Sequence, residues 1–287
     1  MMENTIIRNA YAKINLALDV VRRLPNGYHE VRMIMQTVDI CDVLTFKKAE
    51  EGISLKVDNI ELPTDGNNLI CKAAKLLLET AGVCGGVDIT LEKHIPIAAG
   101  MAGGSTDAAA ALLAVNELYE LGFSVEELKE IGVKIGADVP YCIEGGTALA
   151  EGIGEVLTPL VAPPHCYLVV AKPDINVSTK FVYENLRANE LKVHPDVDGM
   201  MADLHAGDLA GIAGKLGNVL ETVTVPAYPI IQDIKNTLKE QGALNALMSG
   251  SGPTVFGLFT NEEQALVAAE QVRHLKLAKQ VFVTTFH

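Results

Sequence analysis

A short glycine-rich segment limits the possible folds of this chain more than any other feature. It spans residues 96–107, reads Pro-Ile-Ala-Ala-Gly-Met-Ala-Gly-Gly-Ser-Thr-Asp, and follows a predicted strand, Val87 to Leu91. A helix rich in Ala and Leu comes directly after it and runs to about Tyr119. Glycine lets the main chain approach a ligand closely, and the amides at a helix start attract anions. The order strand, loop, helix therefore favours a phosphate-binding loop over a glycine turn that only permits tight packing.

The loop differs from the two commonest nucleotide-binding patterns. It lacks the G-K-[ST] ending of a Walker loop, and Gly100-x-x-Gly103-Gly104 is not the G-x-G-x-x-G of dinucleotide-binding proteins. Ser105 and Thr106 are predicted to cap the helix or to contact phosphate and metal. The segment thus indicates a phosphate site outside those two classes.

The rest of the chain mixes strands and helices without a regular alternation, which predicts an α+β fold rather than a doubly wound sheet. Tyr11 to Val20 alternates like a strand and places Lys13 and Asn15 on one face, and the strand-rich run Tyr28 to Phe46 is predicted to break near Asp39 to Asp42. Prolines at 159, 163 and 164 suggest a boundary between domains 1–158 and 159–287. Further strands are predicted between Gly146 and Gly152 and at Tyr167–Ala171, Ala243–Met248, Thr254–Phe259 and Gln280–Thr285. Further helices are predicted at Asn67–Ala81, Ser124–Gly136, Ser178–Arg187, Met200–Leu220, Ile230–Gln241 and Glu262–Leu275. Gly82 is predicted to end the first of these, and Ser124 with Glu127 is predicted to form a capping box at the start of the second.

Charge and cysteine content exclude several classes of protein. Among 287 residues, 23 are Lys or Arg and 36 are Asp or Glu, and the resulting net charge of -13 disfavours nucleic-acid binding. The five cysteines form no C-x-x-C pair, which fits a reducing cytoplasm. Met1 to Arg8 shows no signal pattern, and the sequence has no apolar run of membrane length. These features predict a soluble cytoplasmic protein. Neither His nor Cys shows zinc spacing, so we expect no protein-bound transition metal. The sequence leaves open whether the chain is a monomer or a homodimer.

Three motifs together resemble the GHMP kinase superfamily, named for galactokinase, homoserine kinase, mevalonate kinase and phosphomevalonate kinase. They are Ala12-Lys13-Ile14-Asn15-Leu16, Pro96-x-x-x-Gly100-x-x-Gly103-Gly104-Ser105-x-Asp107-Ala108, and Ser249-Gly250-Ser251-Gly252-Pro253-Thr254. The resemblance implies an N-terminal domain of ribosomal-protein-like topology, a ferredoxin-like C-terminal domain and an active site between them. It also implies that the protein binds ATP and that Mg²⁺ enters bound to the ATP. It implies these ATP-binding residues: Pro96, Ile97, Ala98, Ala99, Gly100, Met101, Ala102, Gly103, Gly104, Ser105 and Thr106, with Asn68 and Lys93 near the adenine or the phosphates.

Two further motifs are similar to one branch of this superfamily, which phosphorylates the 2-hydroxyl group of a cytidine diphosphate-linked methylerythritol in the non-mevalonate isoprenoid pathway. They are Asn26-Gly27-Tyr28-His29 and Gly136-Ala137-Asp138-Val139-Pro140. The resemblance implies that Lys13 and Asp138 are catalytic. It implies that Asn15, Tyr28 and His29 bind the substrate, with a second stacking aromatic at Tyr183 or Phe181, where the spacing favours Tyr183.

Each of these residues also has an ordinary structural interpretation. An Asp after Gly-Ala is often a helix cap, a strand Lys is often solvated, Tyr28 can pack on the sheet, and Ser249 to Thr254 can be a simple hairpin turn. Two other functions stay open: a GHMP kinase with a different acceptor, and a nucleotide-binding protein without turnover. Asn26 to His29 argues against the first, and Lys13 with Asp138 argues against the second.

Overall fold

The computed structural model describes residues 5–25, 27–58 and 62–287. The chain forms two compact units, each assembled from separate stretches of sequence. The first consists of Met1–Ala12, Ile40–Ile95 and Ala102–Gly145, and the second of Lys13–Asp39, Pro96–Met101 and Gly146–His287. The division into domains 1–158 and 159–287 stays a prediction.

Helices and strands occur in both units, and most neighbouring strands pair in antiparallel orientation. This confirms the predicted α+β class. The strands are β1 Thr5–Arg23, β2 His29–Ala49, β3 Gly52–Val57, β4 Gly86–Glu92, β5 Thr147–Glu151, β6 Val156–Pro159, β7 Tyr167–Lys172, β8 Gly217–Asn218, β9 Asn245–Met248, β10 Val255–Phe259 and β11 Gln280–Thr285. The helices are α1 Leu69–Ala81, α2 Gly103–Leu118, α3 Val125–Val133, α4 Val139–Glu144, α5 Thr179–Asn185, α6 Val197–Ala206, α7 Leu209–Gly214, α8 Glu221–Ala227, α9 Ile230–Glu240 and α10 Glu262–His274, with a 3-10 turn at Ala188–Glu190.

Local sequence signals set the helix ends of the first unit. Asn68 caps α1 by accepting a hydrogen bond from the Ile70 amide, and Gly82 ends the helix in the left-handed conformation. Ser124 and Glu127 form the predicted capping box of α3. Both helices and α2 contribute buried side chains to one core, in which the alanines of α2 allow close packing.

The sheet of the first unit contains β4 between β3, which is parallel to it, and the C-terminal part of β2, which is antiparallel. The predicted break of β2 near Asp39 to Asp42 is wrong, because the strand continues without interruption to Ala49. Asp42 is fully buried inside this strand, and its carboxylate has several partners. An acidic residue that suggested a turn is therefore a buried interior residue of a strand.

The second unit contains an antiparallel sheet in the order β11-β7-β10-β9. Every residue of β10 is buried, as expected for an inner strand. Also in this unit, β2 pairs with β5 at Met33 to Gln36, and β1 pairs with β8 at Ala17 and Leu18. The β1 segment from Ala12 to Leu18 is buried on both of its faces, so Lys13 and Asn15 lie in the interior.

The continuous helical stretch predicted at Met200 to Leu220 is wrong. Gly207 ends α6 in the left-handed conformation, and the Asp208 side chain caps α7 by accepting a hydrogen bond from the Gly211 amide. The short strand β8 follows at Gly217. Across the residues that the structure describes, none of the helices is both long and apolar enough to span a membrane.

Candidate active site

The glycine loop enters α2 through Ala102, which occupies the cap position in the left-handed conformation, with φ of 57°. Ser105 and Thr106 lie inside the first turn, so the prediction that they cap the helix is wrong. In any α-helix the first amides have no acceptor within the helix, and here they belong to Gly103, Gly104 and Ser105. The Thr106 side chain is buried, and its hydroxyl donates a hydrogen bond to the Tyr11 carbonyl at 2.8 Å. Backbone amides are therefore the main anion-binding groups of this turn.

In the second unit, the loop is fixed by hydrogen bonds to two successive carbonyls. The Met101 carbonyl accepts from the Lys13 amide at 3.2 Å, and the Gly100 carbonyl accepts from Ser249 Oγ at 3.0 Å. Gly100 has φ of 72°, and a Cβ at this position would overlap the Ser249 carbonyl oxygen and lie 3.1 Å from the Gly252 nitrogen. Only glycine fits this backbone and this contact.

Ser249 to Thr254 connects β9 to β10, and several side chains fix its conformation. Asn218 Nδ2 donates to the Met248 and Gly250 carbonyls, both at 2.8 Å, and the Thr224 hydroxyl donates to the Ser251 carbonyl. The segment is a turn between strands, and it also contacts the glycine loop at Gly100. This contact favours a role in supporting the glycine loop over a simple hairpin connection.

Lys13 is buried, contrary to the usual solvated position of a strand lysine. It is 5% exposed, and its Nζ donates to Asn15 Oδ1 at 2.8 Å. Asn15 is fully buried and its amide nitrogen lies 3.5 Å from Met33 Sδ. A buried ammonium group needs polar partners, and Asn15 provides one.

Asp138 lies directly before α4 in the first unit and is half-buried. Its side chain accepts no hydrogen bond from the first amides of this helix, all of which the structure describes. Its carbonyl accepts from the Cys142 amide at 3.0 Å, so the main chain rather than the carboxylate continues the helix. The helix-cap interpretation of Asp138 therefore does not account for its carboxylate.

Aromatic residues of the second unit lie near the end of the β1–β2 hairpin. Tyr28 is 58% exposed, so it is not packed away on the sheet. The His29 and Tyr183 rings have centroids 5.1 Å apart, with their planes tilted by 38°. Burial and the neighbouring Arg23 lower the pKa of His29, which keeps its imidazole neutral near pH 7. Asn26, the first residue of this motif, lies outside the described residues.

The two remaining predicted ATP neighbours have side chains that bind within the protein. Asn68 caps α1 through Oδ1, and its Nδ2 donates to the Pro63 carbonyl at 2.8 Å. The Lys93 ammonium pairs with the carboxylates of Asp42 and Asp107. Asp42 and Asp107 were not among the predicted site residues. Asp107 belongs to the glycine motif, but Asp42 has no local signal because its partner is 51 positions away.

The buried cluster of Asp42, Lys93 and Asp107 lies beside the first turn of α2. The Lys93 Nζ is 2.7 Å from Asp107 Oδ2, and a Cβ on Gly103 would lie 3.1 Å from that nitrogen. Asp42 Oδ1 accepts from the amides of His94 and Ile95 at 2.6 and 2.8 Å. Burial, opposed by Lys93 and reinforced by Asp42, raises the pKa of Asp107 to about 8.

Two segments of the chain match models of known protein families. Residues 68–146 match the family described as GHMP kinases N terminal domain, and residues 200–276 match GHMP kinases C terminal. The 4-diphosphocytidyl-2-C-methyl-D-erythritol kinases of Lachnoclostridium phytofermentans and Lachnospira eligens are 52% and 51% identical, each over 96% of both chains.

Solved structures give the same result. A crystal structure of 4-(cytidine 5'-diphospho)-2C-methyl-D-erythritol kinase matches with a TM-score of 0.84 and 34% identity, covering 98% of this chain and 99% of the other. Homoserine kinase from Cytophaga hutchinsonii shares the fold, with a TM-score of 0.81 at 23% identity over 100% of this chain and 96% of its own. The chain therefore belongs to the GHMP kinase family and, within it, to the 4-diphosphocytidyl-2-C-methyl-D-erythritol kinases.

Proposed function

We propose that this chain transfers the γ-phosphoryl group of ATP to the 2-hydroxyl group of 4-diphosphocytidyl-2-C-methyl-D-erythritol, a step of the non-mevalonate isoprenoid pathway. The observation that carries this proposal is 52% identity over 96% of the chain to a kinase of that name. We further propose that the reaction takes place in the cytoplasm, with the chain acting as a monomer or a homodimer.

The triphosphate of ATP binds along residues 96–106. The amides that open α2 at Gly103, Gly104 and Ser105 point toward an anion at the helix start, and the helix dipole adds a favourable potential. The Ser105 hydroxyl is half-buried and available to a phosphate oxygen, whereas Thr106 contributes its backbone because its hydroxyl binds Tyr11. Asn68 and Lys93 lie near the adenine or the phosphates and support the site, Asn68 by binding the backbone at Pro63 and Ile70 and Lys93 by binding the carboxylates of Asp42 and Asp107.

Phosphoryl transfer needs alignment and charge stabilisation more than covalent chemistry. Asp138 provides the carboxylate that orients or deprotonates the attacking hydroxyl, since it matches the catalytic aspartate of the family. Lys13 provides the positive charge that holds the acceptor and screens the transferring group. Asn15 fixes the Lys13 ammonium by accepting its hydrogen bond and contacts the substrate.

Cytidine binds to the aromatic residues at the β1–β2 hairpin. The exposed ring of Tyr28 stacks on the base, and the neutral imidazole of His29 binds its polar edge. Tyr183 is the second stacking residue, since its ring lies next to His29.

Mg²⁺ enters on the triphosphate. Magnesium is commonly held by nucleotide phosphates and water with few protein ligands. Among the described residues, no group of three or more His, Cys, Asp or Glu side chains is suited to hold a metal ion. When bound, the ion neutralises charge on the phosphates.

The substitution Asp138→Asn tests the catalytic proposal. It keeps the shape of the side chain but removes the carboxylate, so we expect kcat to fall by about 10² to 10⁴-fold while ATP binding changes little. Steady-state kinetics and calorimetric titration with ATP measure the two effects. Glu144→Gln, at the other end of α4, is the matched control and should keep wild-type turnover. Unchanged kcat in Asp138→Asn would remove this residue from the mechanism.

A further inference from the structure

Three charged side chains form a buried cluster below the proposed phosphate site. The side chains of Lys93, Asp42 and Asp107 are 5%, 0% and 3% exposed. With all three ionised, the cluster carries one surplus negative charge away from water. Buried charges without a counter-charge are strongly unfavourable, so one carboxyl group of the cluster should hold a proton.

The hydrogen bonds indicate which carboxyl group holds it. Asp42 binds the amides of His94 and Ile95 and the Lys93 ammonium, and these donors suit an ionised carboxylate. Asp107 binds Lys93 through Oδ2, but within the described residues its buried Oδ1 has no hydrogen-bond partner. A proton on Oδ1 removes the surplus charge and leaves Oδ2 to accept the hydrogen bond from Lys93.

The position of the cluster connects it to ATP. Asp107 is the fifth residue of α2, and the Lys93 ammonium packs below Gly103, the first. Asp42 also holds the backbone at His94 and Ile95, which leads into the glycine loop. A change of charge here acts directly on the helix start where a triphosphate is proposed to bind.

We propose that Asp107 holds one proton, and that this proton keeps the buried cluster of Lys93, Asp42 and Asp107 electrically neutral, which favours ATP binding at the first turn of α2. Asp107 is then a positioning residue that acts through the helix start. The inference rests on the proposed function, because it requires the triphosphate at residues 96–106. The raised pKa of Asp107, to about 8, supports it and places the loss of the proton in mildly alkaline solution.

Other titratable groups near the cluster do not replace Asp107 in this role. Asp58 is exposed and accepts a hydrogen bond from the Lys93 amide, and the His94 ring binds the Cys41 carbonyl. Lys93 and Asp42 are the charged groups that act on the pKa of Asp107. The helices packed against α2 also carry these titratable side chains: Cys71, Lys72, Lys75 and Glu79 on α1, Glu126, Glu127, Lys129 and Glu130 on α3, and Tyr141, Cys142 and Glu144 on α4, preceded by Asp138.

The experiment is a calorimetric titration with ATP between pH 7.5 and 9.5, in which the charge of ATP itself is nearly constant. For the wild type we expect the affinity for ATP to fall by roughly 2- to 30-fold between pH 7.5 and 9.5, because this is the effect of one charge at a helix start. Buffers of different ionisation enthalpy should show proton uptake on binding near pH 8 to 9. Asp107→Asn should remove both the pH dependence and the proton uptake.

Two controls keep the outcome decisive. Asp58→Asn changes an exposed carboxyl group that accepts a hydrogen bond from the Lys93 backbone amide, and it should keep the wild-type pH dependence of ATP affinity. A carbon-13 NMR titration of the aspartate carboxyl groups, without nucleotide, should show one signal near pH 8 that Asp107→Asn eliminates. If every aspartate titrates below pH 5, or if Asp107→Asn keeps the pH dependence, the proposal of a protonated Asp107 is overturned. If ATP does not bind at any pH while the signal near pH 8 is present, the proposed nucleotide site fails instead.

Discussion

Tyr183 and Phe181 are two positions apart in α5, and their surroundings differ. The Tyr183 ring lies 5.1 Å from that of His29, whereas Phe181 is 40% exposed. We expect Tyr183→Leu to raise the KM for the cytidyl acceptor by about 5- to 150-fold, corresponding to the loss of about 1 to 3 kcal/mol of stacking. The KM for ATP should not change. Phe181→Leu is the control, and a larger rise in that variant would assign the stacking role to Phe181.

The buried Asp107 also affects the stability of the folded chain. Its pKa is about 8 in the folded state and about 3.9 when unfolded, so between these values the folded state binds a proton that the unfolded state lacks. The contribution of Asp107 to the free energy of unfolding therefore decreases as the pH rises from 4 to 8. We expect the stability of Asp107→Asn relative to the wild type to rise between pH 5 and pH 9, by on the order of a few kcal/mol.

Urea unfolding at pH 5, 7 and 9 measures this difference. A variant that is less stable than the wild type at pH 9 would mean that the ion pair between Lys93 and Asp107 outweighs the cost of burying the carboxylate.

At the residue scale, the sequence predicted side chains whose partners are close along the chain. The pairing of Lys13 with Asn15 follows from the two-residue period of a strand and was predicted correctly as a shared face. The pairing of Lys93 with Asp42 joins residues 51 positions apart, and no local pattern indicates it. The roles of Lys13, Asp138 and Tyr183 came from resemblance and stay predictions until they are tested.

Among the elements, the contact between the glycine loop and the β9–β10 turn gives a direct test. Gly100→Ala introduces a Cβ against the Ser249 carbonyl and into a left-handed backbone. We expect it to destabilise the chain by about 1 to 3 kcal/mol and to weaken ATP binding. Thermal unfolding and calorimetric titration measure the two changes. Gly66→Ala, at a position with no heavy atom within 4 Å of the added Cβ, should have little effect, and an equal loss in both variants would contradict the loop–turn contact as the cause.

Helix ends were predictable where a cap uses neighbouring residues. Gly82 and the box of Ser124 and Glu127 were predicted correctly because their bonds span only a few positions. The start of α2 was not, because Ala102 adopts a left-handed cap conformation that alanine rarely favours. The continuous β2 was also missed, since Asp42 is stabilised by the distant amides of His94 and Ile95.

For the whole molecule, the decisive question is which alcohol the enzyme phosphorylates. Fold alone does not answer it, because a homoserine kinase aligns over the full chain with a TM-score of 0.81. We expect ADP release with the cytidine diphosphate-linked methylerythritol to exceed that with homoserine or mevalonate by at least about 10³-fold in kcat/KM, since the aromatic residues at the hairpin suit a nucleobase.

A coupled ADP-release assay with the three acceptors measures this ratio. Equal or faster turnover of homoserine or mevalonate would place the enzyme in another branch of the family. The absence of ADP release with all three, together with intact ATP binding, would indicate a nucleotide-binding protein without turnover.

The contact between Gly100 and the β9–β10 turn also limits what the glycines of these two segments indicate about a related chain. A Cβ on Gly250 would lie 2.9 Å from the Gly100 carbonyl oxygen, just as a Cβ on Gly100 would meet the turn. The turn backbone at Ser249 and Gly252 thus excludes a side chain at position 100, and the Gly100 backbone excludes one at position 250, whatever reaction the protein performs. A descendant that had lost catalysis would still be more stable with both glycines, because a side chain at either position strains the fold. Their presence in a genome therefore marks an inherited scaffold and does not report whether the enzyme still turns over.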